Sequence, residues 1–83
     1  MKTSSVSFGQ LRRLLLDLRF AETRVDTCRR FEHPESDTVF VFRPYAPDDN
    51  VTMLDLASTR THLDWRGLLS AVAFDDSLTK TPA

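Results

Sequence analysis

The sequence predicts a single α+β domain: a helix, three antiparallel strands, a second helix and a short C-terminal helix, with the helices on one face of the sheet. Two observations carry this expectation. Apolar residues recur at helical spacing towards both ends of the chain, whereas residues 20–44 read as short alternating or apolar runs bounded by turn residues. Eighty-three residues leave room for one hydrophobic core. The domain is assigned to 1–83, with an ordered core over about 7–78 and a frayed tail at 79–83.

Ser7 and Gln10 have the spacing of a capping box, and Phe8, Leu11, Leu14, Leu15 and Leu18 behind them line one face of a helix over about 7–18. Arg12, Arg13 and Asp17 fall on the other side. No glycine follows this helix, so either Arg19 occupies the left-handed place past its end or the helix ends in another way. "FAETRVD" and "TCRRFEHP" are loosely alternating strands with Asp26 in the turn between them, and "PESD" is the next turn. "TVFVFR" reads as a strand apolar on both faces, whose second face needs a cover from the last helix or from a partner. A loop, "PYAPDDN", follows.

Thr52 caps a second helix over about 52–66, with Asp55 in its first turn, where a carboxylate meets the positive helix end. Its apolar stripe is Met53, Leu56, Ala57 and Leu63, with Arg60 within that spacing, and Gly67 stops it. Ser70 caps a short last helix carrying Val72, Phe74 and Leu78.

A net charge of −1 argues against strong general affinity for nucleic acid. The charge is uneven, however. Residues 1–43 hold eight cations against six carboxylates, and residues 44–83 hold three against six. Nearly all cations of the first half are arginine, the residue suited to phosphate forks. Cys28 is the single cysteine, which precludes an intramolecular disulfide and fits a reducing compartment. The N-terminus has no signal-peptide pattern, and no segment approaches the roughly 20 apolar residues of a membrane helix. The expectation is a soluble cytoplasmic protein without membrane contact.

No glycine-rich phosphate loop, no carboxylate pair of recognisable spacing and no serine–histidine–acid arrangement is present. His33 and His62 lie far apart with one cysteine between the termini, which gives no metal-ligand spacing. Neither a metal nor a cofactor is therefore expected. The candidate binding residues are Arg29, Arg30 and Arg43, which form a small cationic patch if their strands are neighbours, together with His33. No catalytic residue is assigned, although His33 is the nearest candidate base. Its alternative role is to end a strand before Pro34 and hydrogen-bond the turn. Cys28 reads as a small buried hydrophobe, His62 as packing on Trp65, and Phe40, Phe42 and Tyr45 as core wherever they face the helices.

"FGQLRRLLLDLRF", "RRFEHP", "VFVF" and "LASTRTHLDWRGLL", in this order and spacing, resemble the HicA family of small bacterial toxins. The resemblance covers roughly Phe8 to Leu69. It implies a fold like the double-stranded-RNA-binding domain, a messenger-RNA endonuclease activity, RNA as ligand and a HicB-like antitoxin as partner. In that family a Gly-Ser-x-His or Gly-Ser-His segment leads the second strand and supplies the supposed catalytic base. The matching positions here are Asp26, Thr27, Cys28 and Arg29. Histidine suits the removal of a 2′-hydroxyl proton near neutral pH, and cysteine does not readily replace it. The expectation is a HicA-like RNA-binding or toxin-related protein with impaired or lost cleavage. The alternative is a non-catalytic interaction module that binds a partner, or a second copy of itself, through the open sheet face or edge.

Overall fold

In the computed structural model, which describes residues 3–79, the chain runs β1 (Thr3–Ser7), α1 (Phe8–Asp17), β2 (Ala21–Val25), β3 (Cys28–His33), β4 (Thr38–Phe42), β5 (Asn50–Thr52), α2 (Met53–Trp65) and α3 (Ala71–Thr79). Of the tail expected over 79–83, only Thr79 lies within the described residues, as the last residue of α3. The expected three-stranded antiparallel sheet is present in the order β2-β3-β4. β1 and β5 were not expected. They pair with each other in a separate antiparallel ribbon whose register shifts between its two ends.

The capping box at the start of α1 is complete. The Ser7 hydroxyl accepts from the Gln10 amide at 3.2 Å, and the Gln10 side chain accepts from the Ser7 amide at 2.9 Å. The next two amides are satisfied by the loop before β5: Phe8 N donates to Asp49 O at 2.7 Å and Gly9 N to Pro47 O at 2.8 Å. A Cβ on residue 9 would stand 3.0 Å from that Pro47 oxygen, so any larger residue would push the loop back by a few tenths of an ångström.

Both long helices end in the same way. After α1, Arg19 N donates to Leu16 O and Phe20 N to Leu15 O; after α2, Gly67 N donates to Asp64 O and Leu68 N to Leu63 O. These are Schellman closures, with an apolar residue just past each helix folded back over the last turn. Each needs one left-handed residue. Gly67 takes it at φ 73°, and Arg19 takes it at φ 72° without a glycine's freedom.

Phe8, Leu11 and Leu15 of α1 and Leu63 of α2 are buried on the same side of the sheet as Phe31, Phe40 and Phe42. Phe8 makes edge contacts with Phe31 and Phe42 at 6.1 and 5.8 Å and stacks on Tyr45 at 5.3 Å. Phe74 and Leu78 of α3 complete the core.

Three expectations about faces are corrected. β4 alternates rather than burying both sides: Thr38, Phe40 and Phe42 point inwards, while Val39 and Val41 remain 42% and 62% exposed. A single helical layer covers only one sheet face, and α3 packs on α1 and α2 rather than on the other face, leaving Val72 exposed. In α2 the inward residues are Thr59 and Leu63, with Leu56 half-buried, whereas Met53 and Ala57 face out. Thr59 tolerates burial because its hydroxyl donates to the Asp55 carbonyl at 2.8 Å.

Arg19 supplies a direct test of the helix closures. Arg19→Gly removes the left-handed strain but loosens the unfolded chain, for a net gain of about 0.5–1 kcal/mol, or roughly 2–8 °C in Tm. Gly67→Ala should lower Tm by a similar amount. A thermal melt in which Arg19→Gly is less stable than the parent would contradict this account.

Candidate nucleic-acid interface

The hairpin of β2 and β3 is tight. Val25 pairs with Cys28 across the two residues Asp26 and Thr27, and Asp26 takes a positive φ of 56°. Aspartate is among the few side chains that adopt this conformation readily. From that turn the register is set, and with it the direction of every side chain on the two strands. Phe31 and His33 are buried on the helix side, so Arg29 shares their face, and so do its opposite neighbour Arg24 and the next inward residue of β2, Glu22. Cys28, Arg30 and Glu32 face the other way, alongside Val39 and Val41 of β4.

The expected candidates therefore separate. Arg29 lies on the helix side, where its Nη1 donates to Glu22 Oε2 at 2.8 Å. The other oxygen of Glu22 accepts from Arg12 Nε of α1 at 2.7 Å, so one carboxylate joins a helix to the hairpin. Arg30 lies on the open face and pairs with Glu32 at 2.9 Å. Arg43, beyond the end of β4, approaches Asp55 of α2 at 3.7 Å and stands over the Tyr45 ring at 6.0 Å. Arg29, Arg30 and Arg43 do not form one patch. Alternation along the strand parts the first two, and the start of α2 draws the third away.

His33 is 8% exposed, 5.1 Å from the Phe20 ring, and shares a 2.8 Å hydrogen bond between its Nδ1 and the Ser36 hydroxyl. Ser36 in turn hydrogen-bonds Thr38 at 2.8 Å, which closes the single 3₁₀ turn Pro34–Ser36. The imidazole thus ties the β3–β4 turn together. His62 does not meet Trp65; its ring lies against the Phe40 ring at 5.9 Å, and Trp65 is exposed beneath the Arg66 guanidinium at 5.4 Å. Cys28 is half-buried on the open face. Among the described residues no cluster of histidine, cysteine and carboxylates has the make-up of a metal site.

Sequence reasoning missed Arg12, Glu22 and Arg24. Arg24 stands directly opposite Arg29, and among the described residues no carboxylate pairs with it. Both line a hollow of about 350 Å³ with Asp26, Thr27, Pro44, Tyr45 and Ala46. The signal was available: a two-residue turn at Asp26 and Thr27 places residue 24 against residue 29. A second hollow of about 500 Å³ lies beside it between Arg43, Pro44, Tyr45 and the start of β5. Below it the Tyr45 hydroxyl donates to Asp55 at 2.5 Å and accepts from the Thr52 amide at 3.1 Å, which holds the loop on the N-terminal end of α2.

Burial separates the ion pairs in strength. The Glu22 side chain is 15% exposed and Arg29 25%, whereas Arg30 and Glu32 are both above 40%. A double-mutant cycle on Glu22 and Arg29, read by chemical denaturation, should give a coupling of about 1 kcal/mol, against about 0.3 kcal/mol for Arg30 and Glu32. Equal couplings would show that burial does not strengthen the Glu22–Arg29 pair over the exposed one.

Compared with protein-family models, with curated proteins and with solved structures, the chain gives no significant match to any of them.

Proposed function

We infer that the chain is a HicA-like, toxin-related protein that binds RNA weakly and lacks messenger-RNA cleavage of the usual kind. The observation that carries this reading is the β2–β3 turn. The place that corresponds to the family's glycine is Asp26, which takes a positive φ of 56°, a conformation glycine favours, and this supports the reading while the histidine chemistry is missing. Cys28 and Arg29 stand where the histidine belongs, and the nearest histidine, His33, is buried and engaged by Ser36. The three-stranded sheet with its helices on one face is also the layout that the resemblance implies. The partner of such a protein is a HicB-like antitoxin, and its place is the cytoplasm. No described helix is long and apolar enough to cross a membrane.

A second reading has its own support. The open face of the sheet carries Val25, Val39 and Val41, all more than two-fifths exposed, and its outer strand β4 bears no charge, proline or glycine to guard its edge. In this reading the same face serves a protein partner or a second copy of the chain.

Incubated with cellular RNA, the purified protein should retain RNA at low salt and release it at moderate salt, leaving it uncut, and its overexpression should not arrest growth. Robust cleavage that His33→Ala abolishes would make the protein an enzyme and overturn the inference. For the second reading, Val41→Lys should abolish self-association or partner capture, seen by light scattering on a size-exclusion column, with the melt unchanged. A parent that is monomeric at high concentration, together with an antitoxin that binds Val41→Lys as it binds the parent, would remove that reading.

A further inference from the structure

Two arginines placed directly across an antiparallel pair repel each other, with Cβ atoms about 5 Å apart, and such pairs destabilise a sheet. The hairpin bears this arrangement at Arg24 and Arg29. Glu22 does not relieve it fully, because its two oxygens are divided between Arg29 and Arg12. Among the described residues Arg24 has no carboxylate partner, Glu22 is shared by Arg12 and Arg29, and Asp26 lines the same hollow. Arg29 commits only Nη1 to Glu22, and its planar fork carries further donors. Both Arg24 and Arg29 border the open hollow of about 350 Å³, which Asp26, Thr27, Pro44, Tyr45 and Ala46 also line.

We propose that this hollow is a phosphate-oxyanion subsite, in which Arg24 and Arg29 clasp a phosphodiester of a single-stranded RNA backbone. It rests on the RNA-binding reading above and gives that reading an address. An oxyanion between the two guanidiniums turns their repulsion into two charge-assisted hydrogen-bond contacts. The hollow offers guanidinium donors to a phosphate rather than a platform to a base, because the Tyr45 ring is buried and stacked on Phe8. Specificity for sequence is not expected of such a contact, since phosphates carry none.

The test follows the arginine Nε–Hε resonances of the full chain by NMR, during separate titrations with inorganic phosphate and with a short single-stranded RNA of mixed sequence. RNA should shift the signals of Arg24 and Arg29 saturably, and phosphate should shift the same two more weakly. Arg24→Gln should lose about tenfold in RNA affinity, and the slope of log affinity against log salt should fall by about 0.7. The same substitution should raise Tm slightly at low salt, because it removes the like-charge pair; a purely structural role for Arg24 would lower it. If RNA binds the parent and Arg24→Gln equally well, the subsite is wrong while RNA binding stands. If phosphate shifts both arginines but RNA does not bind, the oxyanion pocket stands and RNA as its occupant falls, together with the functional reading. If neither ligand moves either resonance, the proposal is overturned.

Discussion

Phe8 is fixed from two directions, and most of the molecule is arranged around that fact. Its amide is held by the Asp49 carbonyl, and its ring lies among Phe31, Phe42 and Tyr45. As the first residue of α1 it sets where the helix begins, and as the central ring of the core it sets how the helix lies on the sheet. The neighbouring Gly9 allows the loop before β5 to approach the helix end. Tyr45 then passes the constraint on, because its hydroxyl connects the Thr52 amide with Asp55 and so fixes the start of α2. One aromatic contact therefore places both helices relative to the sheet. Burying such a ring contributes several kcal/mol, a large part of the stability of a domain this small.

The polar surface follows from the same placement. The inward side of β2 carries Glu22 and Arg24 rather than hydrophobes, while the rings of α1 meet β3 and β4. Arg12 reaches down from the helix to share Glu22 with Arg29. The apolar half of the inner face lies instead under β3 and β4, with Phe31, Phe40 and Phe42. Charge and core thus divide the sheet lengthwise. The hollow beside Tyr45 sits where the two halves meet at the end near the first hairpin turn.

How much of this was legible depended on whether the signal was local. The capping box at Ser7, the Thr52 cap, the Gly67 stop and the turn at Asp26 are written within a few residues, and each appears where the spacing places it. β1 and β5 were not legible. "TSSVS" has one apolar residue and "NVT" has three residues in all, so neither shows a period, and each is a strand only because the other lies beside it. The buried stripe of α2 was misread because Thr59, a polar residue, takes an inward place that only its bond to the Asp55 carbonyl makes tolerable. Arg29, Arg30 and Arg43 were seen as a group because they are close in sequence or strand order. Glu32 lies on the same strand as Arg30, but Glu22 and Asp55, the partners of Arg29 and Arg43, come from other elements, and those two pairings exist only once the chain has folded.

The β1–β5 ribbon also governs the order in which the chain can close. Ser7 meets Asn50, 43 residues later, whereas β2, β3 and β4 are joined to one another by turns of a few residues. Closing a long loop costs more chain entropy than closing a short one, and non-local pairings are slow to form. The central sheet is assembled from local hairpins and the ribbon is a clasp drawn around it. During synthesis, β2, β3 and β4 have emerged and can pair before Asn50 exists. The clasp waits for the second half of the chain, and with it waits the loop that holds the front end of α1.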